Sequence, residues 1–79
     1  MSKEQQISTW MFIMLTALRK HYSLPLKDFL SIIKKYRLVY FLTEQYDLLH
    51  YYDNDYIIND IIRYIEEQGG NLNEIPRIT

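Results

Sequence analysis

Apolar side chains recur at three- and four-residue spacing through most of this chain, and only short breaks separate the periodic stretches. Ile7, Trp10, Met11, Met14, Leu15 and Leu18 follow one such stripe, and Ile58, Ile61, Ile62 and Ile65 follow another. A period near 3.6 gathers these residues on one face of a helix, whereas a strand needs strict alternation. A helix with one apolar face must bury it, so several stripes in 79 residues imply helices packed around one core. Hydrophobic residues make up 48% of the chain, enough to fill that core and to argue against disorder. A chain this short lies near the lower limit for a self-sufficient core, so a partner or a second copy would add stability.

The breaks place the elements. Ser2 and Gln5 have capping-box spacing, and helix one is expected from Lys3 to His21, its stripe widened by Ile13 and Ala17. Phe12 lies off the centre of that stripe; it is expected between other helices, a partner-facing position being the alternative. Ser23-Leu24-Pro25 ends this helix and opens the next, because a proline at a helix start loses no hydrogen bond. Helix two is expected from Leu26 to Lys35, burying Leu26, Phe29, Leu30 and Ile33. Asp28 stands near its positive end, and Lys34 and Lys35 near its negative end.

Helix three is expected from Leu38 to Leu48, with Leu38, Phe41, Leu42 and Tyr46 inward. Neither Gly nor Pro marks its border with helix two. Tyr51 to Asp55 is the next turn, and the last helix starts either after Asp53 or later, capped by Asn59. In the later case residues 48–52 and 56–58 could pair as a hairpin. The expected fold is therefore an all-α, compact bundle of about four short helices, with a winged-helix-like shape as the alternative. Gly69-Gly70 is a strong stop, so residues 1–70 read as one domain. Residues 71–79 read as a flexible tail in which Leu72, Ile75 and Ile78 could order against a partner.

Catalytic chemistry finds little support. The chain has no cysteine, which excludes thiolate catalysis, Cys-ligated zinc and disulfides, and fits a reducing compartment. His21 and His50 are far apart in sequence, and His50 with Asp47 and Asp53 makes only a weak metal or acid–base cluster. The bland reading is an imidazole bonded to a carbonyl at a helix end. Asp53-Asn54-Asp55 opens like a calcium loop, yet Ile58 stands where that loop needs Gly and Tyr64 where it needs Glu. No phosphate loop or nucleophile elbow is present. We expect no enzyme, no cofactor and no metal. The apolar run Trp10–Leu18 is too short to span a bilayer, and a cytoplasmic location is expected.

Charge and aromatic content point instead to binding. Residues 1–40 carry seven basic and two acidic side chains, and residues 41–79 carry two basic and eight acidic ones. Lys27, Lys34, Lys35 and Arg37 would suit a DNA-binding helix two, but the chain carries a net charge of −1 and offers no base-reading Arg, Asn or Gln on that helix's exposed face. Seven of the eight tyrosines lie from Tyr36 onward, more than a small core can hide. Tyrosine combines a large apolar ring with a polar tip, a composition enriched at protein interfaces. Tyr51, Tyr52, Asp53, Asp55 and Tyr56 are therefore the candidate partner-binding residues, with solvated helix faces and half-buried rings as the plain alternative.

Several segments together also carry a family resemblance. They are the apolar first helix, Leu24-Pro25 with Asp28, Ile33-Lys34-Lys35-Tyr36 and Tyr46-Asp47-Leu48-Leu49-His50. Tyr56-Ile57-Ile58, Asp60-Ile61 and Tyr64-Ile65 complete the set. From Ile7 to Gln68 the chain resembles domain-of-unknown-function family 3791, a group of short bacterial proteins, with Tyr46, Asp47, His50 and Asp60 in its most specific stretch. Two places depart from the family pattern: Pro25 stands where a Ser cap is common, and Asp53-Asn54 replaces a Gly-containing turn. The family has no assigned activity. Its members look like partners of larger neighbours, some similar to ADP-ribosyltransferase-type toxins. The resemblance thus implies an antitoxin-like or accessory subunit that masks a larger protein; a homo-oligomer is compatible with it. A small DNA-binding regulator using helix two is the alternative.

Overall fold

The computed structural model describes residues 2–72. Among them the chain forms four α-helices: α1 Lys3–Tyr22, α2 Leu26–Lys35, α3 Leu38–Leu49 and α4 Asn54–Glu67. Each boundary has a local cause. The Ser2 side chain accepts from the Gln5 N–H at 3.2 Å, and the Gln5 side chain accepts from the Ser2 N–H at 3.1 Å, the reciprocal capping box read from the sequence. α1 ends where Ser23 turns left-handed (φ 51°) and returns its N–H to the carbonyls of Arg19 and Lys20. The Arg19 Nε–H then donates to the Leu24 carbonyl at 2.9 Å, fastening the α1–α2 link.

The α2–α3 border, unmarked by Gly or Pro, is made by Arg37 at φ 52°. A non-glycine residue in that region costs roughly 1–2 kcal/mol. The Arg37 guanidinium lies 4.7 Å from the centre of the Tyr40 ring, a cation–π contact that offsets part of this cost.

α1 runs antiparallel to α3. Its first turn meets the end of α3 through Lys3 and Asp47, 3.2 Å apart, while Trp10 meets Tyr46 edge-on, with ring centres 5.2 Å apart. α4 turns back along α3, and Phe41 stacks on Tyr64 at 4.0 Å. α1 packs on both α3 and α4, whereas α2 packs mainly on α3. At 1.5 Å per residue the 20-residue α1 is about 30 Å long, most of the 38 Å long axis of the molecule. Leu18, Leu38, Leu42, Ile57, Ile61 and Ile65 are the largest fully buried side chains. No helix among the described residues is long and apolar enough to cross a membrane.

Several expectations need correction. The winged-helix alternative fails, because residues 48–58 hold the end of α3, a tight turn and the start of α4, with no strand. Asp53, rather than Asn59, caps α4: its Oδ1 accepts from the Tyr56 N–H at 2.9 Å. Leu26 and Leu30, expected in the core, are 54% and 55% exposed, and Ile32 and Tyr36 are buried in their place. Phe29 and Ile33 are partly covered. α2 is rotated relative to the centre of its own apolar stripe because Ile32 and Tyr36 are the residues that meet the core.

Phe12 is 71% exposed rather than held between helices, and Ile13 is half exposed rather than widening the buried stripe. The expected tail also starts too early, since Leu72 is buried in the core. The chain reaches it through Gly69, at φ 85°, and then Gly70. A Cβ on Gly70 would collide with the Tyr36 phenol and sit 2.7 Å from Ile65 Cγ2, so any larger residue there forces one of them to shift. Ile75 and Ile78 lie outside the described residues.

Candidate partner-binding surface

The turn between α3 and α4 gathers three of the exposed aromatic residues, Phe12 and Tyr40 lying elsewhere. α3 buries Leu38, Leu42, Tyr46 and Leu49, and that register turns Leu48 outward, to 68% exposure. Tyr51 follows at 81%, and Tyr52 and Tyr56 are about half exposed. The chain stops helical travel at His50, whose N–H bonds the Tyr46 carbonyl at 3.0 Å, and the Tyr52 N–H then bonds the Leu49 carbonyl at 2.9 Å. Two peptide hydrogen bonds and the Asp53 cap thus hold a surface that would otherwise be a loose loop.

Ring stacking stiffens it further. His50 lies nearly parallel to Tyr46, with ring centres 4.3 Å apart, and Tyr51 covers it at 4.0 Å. With Trp10 against Tyr46, an aromatic column runs from α1 through α3 to the surface at Tyr51. Across the turn Tyr52 stacks on Tyr56 at 4.2 Å. Stacked pairs add roughly 0.5–1.5 kcal/mol beyond the area they cover. Such contacts restrict the rotamers that these exposed rings can adopt.

The His50 Nδ1 lies 2.6 Å from the Tyr46 carbonyl oxygen. A carbonyl only accepts, so Nδ1 is the donor in this contact. This is the helix-end role weighed above, rather than a catalytic pairing with Asp47 or Asp53. Asp47 is engaged with Lys3, and Asp53 caps α4. Among the described residues no three His, Cys, Asp or Glu side chains stand together as a metal would require.

The remaining candidates divide by role. Asp53 is the helix cap, and its second oxygen and charge still face solvent beside exposed Asp55 in the first turn of α4. Both carboxylates favour the positive helix end. Asp60 lies outside the cluster, one helical turn from Arg63, with 3.6 Å between their charged atoms. Tyr46 is buried and supports the column from beneath. Thus Tyr51, Tyr52, Asp53, Asp55 and Tyr56 are all exposed in the α3–α4 turn and the start of α4, Tyr46 and His50 stack beneath Tyr51, and Asp47 and Asp60 belong to separate ion pairs.

Two features escaped the sequence reading. Leu48 extends the tyrosine surface; its place, outside the Leu38–Leu42–Leu49 stripe, was the available signal. A groove between α1 and α3, about 430 Å³ in volume, was also missed. Ile7, Met11, Phe12, Leu15, Val39 and Thr43 contribute to its walls. Around the end of α2, Lys34, Lys35 and Arg37 are exposed, with Lys35 against Tyr36 and Arg37 against Tyr40.

Neither the curated proteins nor the solved structures include a match to this chain. A family model described as a protein of unknown function (DUF3791) matches residues 11–68, which take in the Tyr46–His50–Tyr51 stack and all of α4. The chain belongs to that family.

Proposed function

We propose that this protein is a small interaction module that binds and masks a larger protein through the α3–α4 turn. The observation that carries the reading is the group Leu48, Tyr51, Tyr52 and Tyr56, exposed together yet held by stacking and a capped helix start. Rigid aromatic side chains ringed by charge are the usual composition of an interface centre. Asp53 and Asp55 give this surface a negative edge suited to a basic rim on the partner. The resemblance described above supplies the partner class, a toxin-like enzyme of the ADP-ribosyltransferase type, and makes this chain its antitoxin-like subunit. Masking then works by steric occlusion and requires no chemistry from the smaller protein.

The test is affinity capture with the tagged chain, followed by growth assays of what is captured. The expected result is a stoichiometric larger protein that arrests growth when expressed alone and is neutralised by this chain. Tyr51→Ala and Tyr52→Ala should each weaken capture at least about tenfold while leaving the helical circular dichroism unchanged. Asp53→Asn removes the charge while keeping the cap, and so separates electrostatics from folding. Capture unchanged in both tyrosine variants would sink the proposed surface. Recovery of DNA, bound with a steep salt dependence that Lys34→Glu with Lys35→Glu abolishes, would favour the regulator instead.

A further inference from the structure

The groove between α1 and α3 lies on a different face, and its wall contains an unusual ridge. Glu4, Ser8, Phe12, Thr16 and Lys20 follow one another at four-residue spacing along α1, and all five are exposed. Phe12 stands at the middle, a large ring between two small hydroxyl side chains. One end of the ridge is acidic and the other basic. Lys3, beside Glu4, is occupied by Asp47 at 3.2 Å, so the acidic end keeps its sign. At the opposite end Arg19 is held by the Leu24 carbonyl, which leaves Lys20 as the outward cation.

This order is self-complementary under a two-fold rotation about Phe12. A second α1 laid antiparallel brings Glu4 opposite Lys20 of the other copy and Ser8 opposite Thr16, with each pair repeated by symmetry. The helix dipoles also oppose one another, and each acidic first turn meets a basic last turn. Ser8 and Thr16 let the helix axes approach, and the Phe12 ring of each copy enters the other's groove, between Met11 and Leu15 on one side and Val39 on the other. A groove of about 430 Å³ readily admits one phenyl ring. A crossing near −50°, the class in which the i±4 ridges of two helices interdigitate, keeps ridge ends about 12 Å from the centre within reach of their counterparts. A lone exposed Phe would say nothing about its partner; the mirrored charges on either side of it do.

We propose that α1 is an antiparallel homodimer interface, with Phe12 exchanged between the grooves of two copies. This surface shares no residue with the α3–α4 turn, so its fate is independent of the proposed masking function.

The test is sedimentation equilibrium of the full chain from about 1 to 500 µM. Wild type should dimerise within that range. Phe12→Glu should raise the dissociation constant about 30-fold or more, with its circular dichroism unchanged because the ring is exposed in the single chain. Glu4→Lys should weaken the dimer by about threefold to tenfold, and adding Lys20→Glu should restore it.

Because the chain has no cysteine, Ser8→Cys combined with Thr16→Cys gives a geometric readout. The two sites are about 12 Å apart within one helix and cannot bridge there. In the antiparallel pair they cross-link between copies on mild oxidation, and Ser8→Cys alone should not. A chain monomeric throughout the range would overturn the proposal and leave the groove to a different protein. A dimer indifferent to Phe12→Glu, or one that Ser8→Cys alone cross-links, would overturn it equally.

Discussion

Helices α2 and α4 have the same kind of apolar stripe and meet different fates. α4 buries Ile57, Ile58, Ile61 and Ile65, while α2 leaves Leu26 and Leu30 more than half exposed and buries Ile32 alone within its span. The difference is one of neighbours. α4 lies along α1 and stacks on α3 through Tyr64 and Phe41, whereas α2 sits at the margin and packs mainly on α3. A periodic stripe therefore states how much apolar surface a helix offers, and the packing decides how much of it is covered. In a domain this small there are too few helices to cover every stripe.

The sharpest way to break this comparison is to truncate one residue on each helix. Ile61→Ala should cost about 2–5 kcal/mol in chemical denaturation, because Ile61 is completely buried and the cavity would have rigid walls. Leu30→Ala, a deletion of similar size, should cost less than about 1 kcal/mol at the margin. Equal losses at the two positions would mean that α2 is covered in solution and that the comparison is wrong.

A smaller effect is expected where α4 leads into the last described residues. Gly70→Ala forces a Cβ against the Tyr36 phenol and Ile65, and should lower stability by about 1–3 kcal/mol. Gly69, with nothing within 4 Å of a built Cβ, suffers only from its backbone at φ 85° and should be the milder site for alanine. Reversal of that order in thermal melts would contradict the packing of residues 70–72 against the core.

Weaker still is the start of α4. Asp53→Ala should cost about 1 kcal/mol and Asp53→Asn much less, since asparagine also caps. α2 has no side-chain cap, Pro25 standing at that position, so its start has no equivalent residue to lose. At the bottom of the scale, Asp47→Ala removes an ion pair that is mostly solvated on both sides and should change stability by no more than about 0.5 kcal/mol. A loss several times larger would make the Lys3–Asp47 contact a structural clasp between α1 and α3.

Much of this architecture was legible beforehand. The capping box at Ser2 and Gln5, the stop at Gly69 and the stripes of α1, α3 and α4 act through contacts a few residues apart, so they survive in the order of residues alone. The exposed tyrosine group was legible for another reason: its residues are close in sequence, and a short turn keeps them close in space. Leu48 was missed because it fell at the expected end of helix three, in neither the inward stripe nor the turn that follows.

By itself, then, the sequence determined the helical class, the positions of most turns and the family, because periodicity, caps and motif residues are local properties. Tertiary structure alone decided which stripes were satisfied. It rotated Ile32 and Tyr36 into the core at the expense of Leu26 and Leu30, drew Leu72 in beyond the glycines, and left Phe12 in solvent beside a groove. Those outcomes depend on how many neighbours each helix finds, a quantity that no single segment of the chain contains.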